Sequence, residues 1–505
     1  MSAFECLPFT PENLYTSLAN DNCDVEKAKT KRHVEYILGY LKELGALSIV
    51  VENDYVDGDY LDDHSSYYGK CFRDYNRKCR RLHFFNEELD DSKVKSLIFG
   101  TAEEGNLETF VAAYLGFIVA RPLPDAIIGR TLLKTYCNDN GRRHYNGIRK
   151  YTANFFGIEL SIESLPFQEQ DTVLAACATV ALWCCFHKTS ELFNTTSPTP
   201  GAITRAATKL SSSSRSFPSH GLNVEQICNA VRDVGLEPEI VQISNGVPLA
   251  SLLYSHLHLG LPVILGVEVE GVGFHAITLN GYSLQENRHV DSEVGLNRKH
   301  FNMTGLRIKT FYAHDDQIGP FCRIYSESPV TDEYPLILSG SWKAGSGTFR
   351  RLLPKVAILP VYHKIRVTFI DIQEWIHVFN RFMSLILADQ TKTEWNVRLT
   401  TTNAMKADLR KNGDGNEARE QLLLEQHPKF IWRATLIFQK SDLVELLFDA
   451  TDLARGFPLY RVVWHDKEAA KVSKKIMELP IMNQLFSDPR MFQLVDESLA
   501  NITTE

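Results

Sequence analysis

The sequence predicts a mixed helix-and-strand protein, α+β in its central third, built as about three folded regions. Three observations carry that expectation. The 505 residues exceed what one hydrophobic core holds, and about 150 residues per domain gives roughly three. Hydrophobic residues make up 44%, charged residues 23% and aromatics 10%, which is ordinary globular usage and excludes disordered, collagenous and coiled-coil classes. Stretches of helical periodicity alternate with short apolar or alternating runs along the whole chain. The expected division is an N-terminal α/β region at 1–150, a central α+β domain at 151–330 and a C-terminal α/β region at 331–505.

In the N-terminal region, Asp24 to Gly45 carries Val34, Ile37, Leu38 and Leu41 at helical spacing and ends on glycine, so one amphipathic helix is expected there. LSIVVE (Leu47 to Glu52), LHFFN (Leu82 to Asn86) and Tyr114 to Leu123 read as strands, and Asn106 to Ala113 as a helix. The basic cluster Arg73, Arg77, Lys78, Arg80 and Arg81 reads as a solvated face.

The central region opens with the apolar, alanine-rich run Val173 to Phe186, too long for a strand and read as a buried helix. Pro200 starts a short helix, followed by a polar stretch with Ser211 to Ser214 that reads as a surface loop. Asn223 is placed to cap a helix through Asp233, with Gln226 completing a capping box and Gly235 the stop. Strand Glu239 to Ser244, helix Pro248 to Leu257 and strand Pro262 to Val269 follow. Beyond Pro354, strand Lys355 to Leu359, helix Asp371 to Ile386 and the runs WNVRLTTTN, FIWRATLIF and LVELLFDATD are expected, with a turn at Asn412 to Gly415.

A balance of 54 basic against 62 acidic residues lends no support to a nucleic-acid partner. Met1 to Asn20 has neither a basic start nor an apolar core, and the longest nearly unbroken apolar stretch covers 14 residues. No secretory signal and no membrane span are therefore expected, and the location is read as cytoplasmic. Ten cysteines with no CxxC pair read as scattered reduced thiols. No Walker A, HExxH or EF-hand pattern is present, and no cofactor or metal is expected. Asp449 and Asp452, at a strand end, read as turn or cap residues before a metal pair.

A cysteine becomes a useful nucleophile when its thiolate is stabilised, most simply at a helix N-terminus. Cys177 is placed there, because the polar loop FQEQD (Phe167 to Asp171) runs into its helix, whereas Cys184 and Cys185 lie about two turns deeper. His275 opens the alternating strand GFHAITLNGY directly after Gly271 and Gly273. RIKTFYAHDD then forms a strand ending in Asp315 and Asp316, and QIGPFCRIY can return antiparallel.

This order of elements resembles papain-like cysteine peptidases, and more closely their bacterial branch with an aspartate acid, which includes leader-cleaving peptidases of bacteriocin exporters. The likeness covers about residues 160–330. It implies a central domain in which the cysteine-bearing helix packs on an antiparallel sheet. It further implies Cys177 as nucleophile, His275 as general base and acid, Asp315 as the orienting acid, and Gln170 with the Cys177 N–H as oxyanion donors. Asp315 fits the family's D-P-x-x-G register to Gly319, although the proline is missing, and Asp316 stays open as the alternative, otherwise turned to solvent or capping the turn. Gln170 stands seven positions before Cys177 where six is usual, and Ala178 replaces a glycine. The implied activity is thiol-dependent cleavage of a peptide or amide bond in a protein or peptide substrate. An acyl transferase or deamidase using the same triad, and a degenerate domain serving as a binding module, remain open. Oligomeric state is not legible.

Overall fold

In the computed structural model, residues 2–171, 177–209, 221–244, 247–286, 302–326, 338–341, 349–387, 393–411, 417–451, 456–486 and 488–500 are described. The protein is α+β, and every pairing between its strands is antiparallel. The first sheet holds Phe4–Pro8, Ser48–Tyr55, Cys79–Phe85, Tyr114–Ala120 and Ile128–Leu133 in sequential order. The last is a four-strand meander of Thr393–Thr401, Phe430–Phe438, Ser441–Asp449 and Leu459–Trp464. Both flanking regions are thus antiparallel units, which corrects the α/β expectation. Helices between strands return the chain to the adjacent strand in the opposite direction.

The central sheet runs through Val263–Val269, Gly273–Leu284, Ile308–Asp315, Gly319–Ser326, Leu338–Ser341 and Phe349–Tyr362, and the last of these pairs back onto the first. Six strands therefore close into a ring, with Leu236–Gln242 added outside Phe349–Tyr362. Closure removes the edges that would otherwise flank the histidine strand. The ring also carries the central sheet past residue 330, so the expected boundary there falls inside it.

The helix Cys177–Phe193 packs on this sheet, and every residue from Ala178 through Phe186 is buried, as an apolar run without a polar face requires. Thr278 on the histidine strand donates its hydroxyl to the Ala181 carbonyl at 2.8 Å, and Cys185 contacts the Pro262 carbonyl at 3.3 Å. These contacts fix the helix over the strand that carries His275. The expected capping box at Asn223 and Gln226 is present on the helix Val224–Asp233, and Gly235 adopts a φ of 84° after it. The helix expected at Pro200 spans Pro200–Thr208. The serine run and the turn at 412–415 lie outside the described residues.

Two N-terminal expectations change. The single helix over Asp24 to Gly45 is two, Val25–Lys29 and Arg32–Glu43, because Lys31 is extended at φ -77°, ψ 126°. The basic cluster divides: Arg73, Arg77 and Lys78 are exposed, but Arg81 is 5% exposed and bonds Glu52 Oε2 at 2.7 Å. A neighbouring strand supplies the carboxylate that lets the guanidinium be buried.

The helix Arg32–Glu43 leans on the turn that follows Ile308–Asp315. The Tyr36 hydroxyl donates to the Pro320 carbonyl at 3.0 Å, and its ring covers Gly319 so closely that a Cβ there would overlap it. Gly319→Ala is expected to cost about 1–3 kcal/mol by overpacking, read from the urea midpoint. An unchanged midpoint would mean that the Tyr36 ring yields freely.

Candidate active site

The site is assembled from four segments that the chain delivers separately. Cys177 stands at the N-terminal end of the described helix, half-buried, with its thiol hydrogen-bonded to the imidazole of His275. These two residues are 98 positions apart in sequence. His275 lies early in Gly273–Leu284 and is 4% exposed. Its Nε2 donates to Asp315 Oδ1 at 2.9 Å, which leaves Nδ1 as the nitrogen available to the thiol. The three residues expected as nucleophile, base and acid are therefore together.

Asp315 is held from two sides. Its Oδ1 also accepts the backbone N–H of Gln317 at 2.9 Å, and Ile318 N–H closes the turn on the Asp315 carbonyl at 2.9 Å. The carboxylate thus caps its own turn and cannot rotate away from His275 without opening it. Asp316 departs from expectation, since it neither faces solvent nor caps the turn. It is 2% exposed, both carboxylate oxygens lack a hydrogen-bond partner, and Oδ1 lies 3.5 Å from His275 Nε2. The strict alternation of strand side chains would have sent the two acids to opposite faces. A register shift between Ala313 and Asp315, and the strand's end at Asp315, remove that alternation.

Charge follows geometry. Burial disfavours the imidazolium of His275, but the charge and hydrogen bond of Asp315, the hydrogen bond of Cys177 and the charge of Asp316 outweigh it and hold its pKa well above the ordinary value. Burial raises Asp315, yet His275, the Gln317 N–H and His33 bring it below the usual carboxylate range. Burial pushes Asp316 up to about 7, with Asp315 and Glu169 adding to the rise and His275 opposing it. An imidazolium beside a thiol, with one ionised carboxylate behind it, is an arrangement suited to nucleophilic thiol chemistry.

Among the cysteines, burial raises Cys6 and Cys79 to about 12 and lifts Cys23, Cys184, Cys185, Cys228 and Cys322 as well. Gln170 is half-buried, and residues 172–176, which join its segment to Cys177, lie outside the described residues. Sequence reasoning missed Gln317, whose side-chain amide lies 3.4 Å from His275 Nδ1, and His33, whose Nε2 lies 2.6 Å from the Asp316 carbonyl oxygen. No local motif signals either. Val272 and Phe274, on the turn and strand before His275, are 50% and 81% exposed. A shallow cavity of about 450 Å³ lined by Glu268, Glu270, Val272 and Arg351 opens at the same turn.

His275, Asp315 and Asp316 are the group among the described residues whose donor atoms, within 4.8 Å of one another, could hold a metal ion. An imidazole nitrogen with two carboxylates suits a divalent ion. A metal on Nε2 would displace the proton given to Asp315, so metal binding and a triad exclude each other there. Asp449 Oδ1 instead accepts the N–H and hydroxyl of Thr451 at 2.8 and 2.7 Å, the turn role, and Asp452 lies outside the described residues. No helix among the described residues is long and apolar enough to cross a membrane. No protein-family model matches the chain, and neither does any curated protein.

Proposed function

We propose that the chain is a papain-like thiol hydrolase that cleaves a peptide or amide bond through an S-acyl intermediate on Cys177. The observation that carries this is the continuous chain of contacts from the Cys177 thiol through His275 to Asp315. The Cys177 sulfur, having passed its proton to His275 Nδ1, attacks the substrate carbonyl carbon, and the C–N bond breaks as the imidazolium so formed gives that proton to the leaving amine. Neutral His275 then takes a proton from water, which attacks the thioester and releases acid and free thiol. Asp315 holds Nε2–H throughout, fixing the ring and stabilising its cation. Gln170 and the Cys177 N–H are assigned to the tetrahedral oxyanion.

Water can be replaced by an amine acceptor without altering the first half of the cycle, so acyl transfer and deamidation belong to the same reading. A binding module with a relic site would keep the fold and lose the reactive thiol. Sub-stoichiometric iodoacetamide at neutral pH, followed by peptide mapping, separates the two. Cys177 is expected to be marked ahead of Cys137, which is exposed, and Cys71, which is half-buried. Labelling governed by exposure alone, with Cys137 first, would overturn the hydrolase reading. Treatment with a metal chelator is expected to leave the Cys177 labelling unchanged.

A further inference from the structure

The segment that carries Gln170 belongs, by its hydrogen bonds, to the N-terminal sheet. Phe167 exchanges both backbone hydrogen bonds with Thr131, at 2.8 and 3.0 Å, and the Glu169 N–H donates to the Ile128 carbonyl at 2.9 Å while Glu169 Oε2 accepts the Ile128 N–H at 3.1 Å. The segment therefore lies along the outer edge of Ile128–Leu133, the last strand of that sheet. Arg121, buried directly after Tyr114–Ala120, spans the seam: Nε donates to the Ala126 carbonyl at 2.9 Å, and Nη2 to the carbonyls of Ile128 at 3.2 Å and Glu169 at 3.1 Å. Its stem passes so close to Gly129 that a Cβ there would stand 2.9 Å from Arg121 Cγ. On the other side of Gln170, the Tyr68 hydroxyl donates to Asp171 Oδ2. Tyr68 is itself buried against the rings of Tyr60, Tyr67 and Tyr75.

We infer that Arg121 and Tyr68 are positioning residues that fix Gln170 for the oxyanion, so that the N-terminal sheet forms one wall of the active site. This rests on the thiol-hydrolase reading of Cys177, His275 and Asp315 and on the place of Gln170 within it. A planar guanidinium can meet the Ala126, Ile128 and Glu169 carbonyls together, whereas the single nitrogen of a lysine ammonium cannot reproduce that fork. With Glu169 and Asp171 both held, the backbone of Gln170 has little room to turn. A donor displaced by about 1 Å loses much of its hold on a developing charge.

The test sets two reactions of Cys177 in the full chain against each other. p-Nitrophenyl acetate acylates the sulfur: the S–C bond forms, the carbonyl oxygen becomes an oxyanion, and p-nitrophenolate leaves as the C–O bond breaks. Iodoacetamide alkylates the same sulfur by displacing iodide, and no oxyanion forms. Acylation is read as p-nitrophenolate released beyond that of Cys177→Ser, alkylation by peptide mapping, and folding by thermal melts. Arg121→Lys keeps the charge and loses the fork; Tyr68→Phe keeps the ring and loses the hydroxyl. Each is expected to slow acylation about tenfold or more and to leave alkylation within about twofold of wild type. Gln170→Ala should show the same split, and adding Arg121→Lys to it should change acylation by less than about twofold, because a positioning residue acts through the residue it positions. Equal losses in both reactions, wild-type acylation in either variant, or additive losses in the double variant would overturn the inference while leaving a reactive Cys177 and its reading intact. A variant already unfolded at the assay temperature would assign that residue to the fold and overturn the inference too. A wild-type Cys177 inert to both reagents would overturn the hydrolase reading instead.

Discussion

Cys177→Ser is expected to lower turnover of any accepted amide or peptide by roughly 10⁴-fold or more, and His275→Ala to do the same. A serine hydroxyl at this position is not ionised by an imidazole that is already a cation, so the attacking species is lost even though the side chain keeps its size. The two residues act as one unit, so the double variant should be little worse than either single one. Cys177 is half-buried at a helix end, and its replacement by serine should leave the thermal midpoint nearly unchanged. Steady-state kinetics on a peptide library, with melts as the control for folding, checks all of this. Turnover that survives Cys177→Ser and is abolished by a chelator would transfer the chemistry to a metal on His275, Asp315 and Asp316.

The parts of this site that were legible in the sequence are those written locally. The alanine-rich run announced a buried helix, the glycines before His275 an exposed strand start, and the pair RIKTFYAHDD and QIGPFCRIY a hairpin around the acid; all three elements are present. The capping box at Asn223 is a signal written within four residues and was equally readable. What was not legible depends on distant partners. His33 and Asp316 are 283 positions apart, and nothing in the helix Arg32–Glu43 marks it as a neighbour of the acid turn. Ring closure by Phe349–Tyr362 joins two runs that each looked like an ordinary apolar strand. Arg81 looked solvated because its charge is visible in the sequence and the position of Glu52 beside it is not. The two adjacent aspartates were assigned to opposite faces by a rule that holds for a regular strand, and a register shift cancels it where it mattered most.

The two aspartates are therefore the sharpest place to test the assignment, because both are buried beside the same nitrogen and only Asp315 is hydrogen-bonded to it. Asp315→Ala is expected to lower turnover by about 10³-fold or more, since it removes the acceptor of Nε2–H and the turn's own cap. Asp315→Asn keeps an acceptor of the same shape and loses only the charge, so it should fall between Asp315→Ala and wild type. It should also lower the pH at which the His275 imidazolium loses its proton, read by NMR of the ring. Asp315 is the chief reason that His275 stands above its ordinary value, and without its charge the imidazolium is lost at lower pH. Asp316→Asn is expected to keep turnover within about tenfold, because no hydrogen bond depends on its side chain. Its effect should appear in stability. A carboxyl raised to about 7 in the folded protein holds a proton that the unfolded chain has already released, so folding stability falls as pH rises from the ordinary carboxylate range to about 7. Above that window the buried charge is carried in full, and the neutral amide avoids it. Asp316→Asn should thus raise the thermal midpoint near about pH 8 and leave it unchanged near about pH 4. If Asp316→Asn abolished turnover while Asp315→Asn did not, the orienting acid would be Asp316, and the 2.9 Å bond from His275 to Asp315 would serve the turn alone.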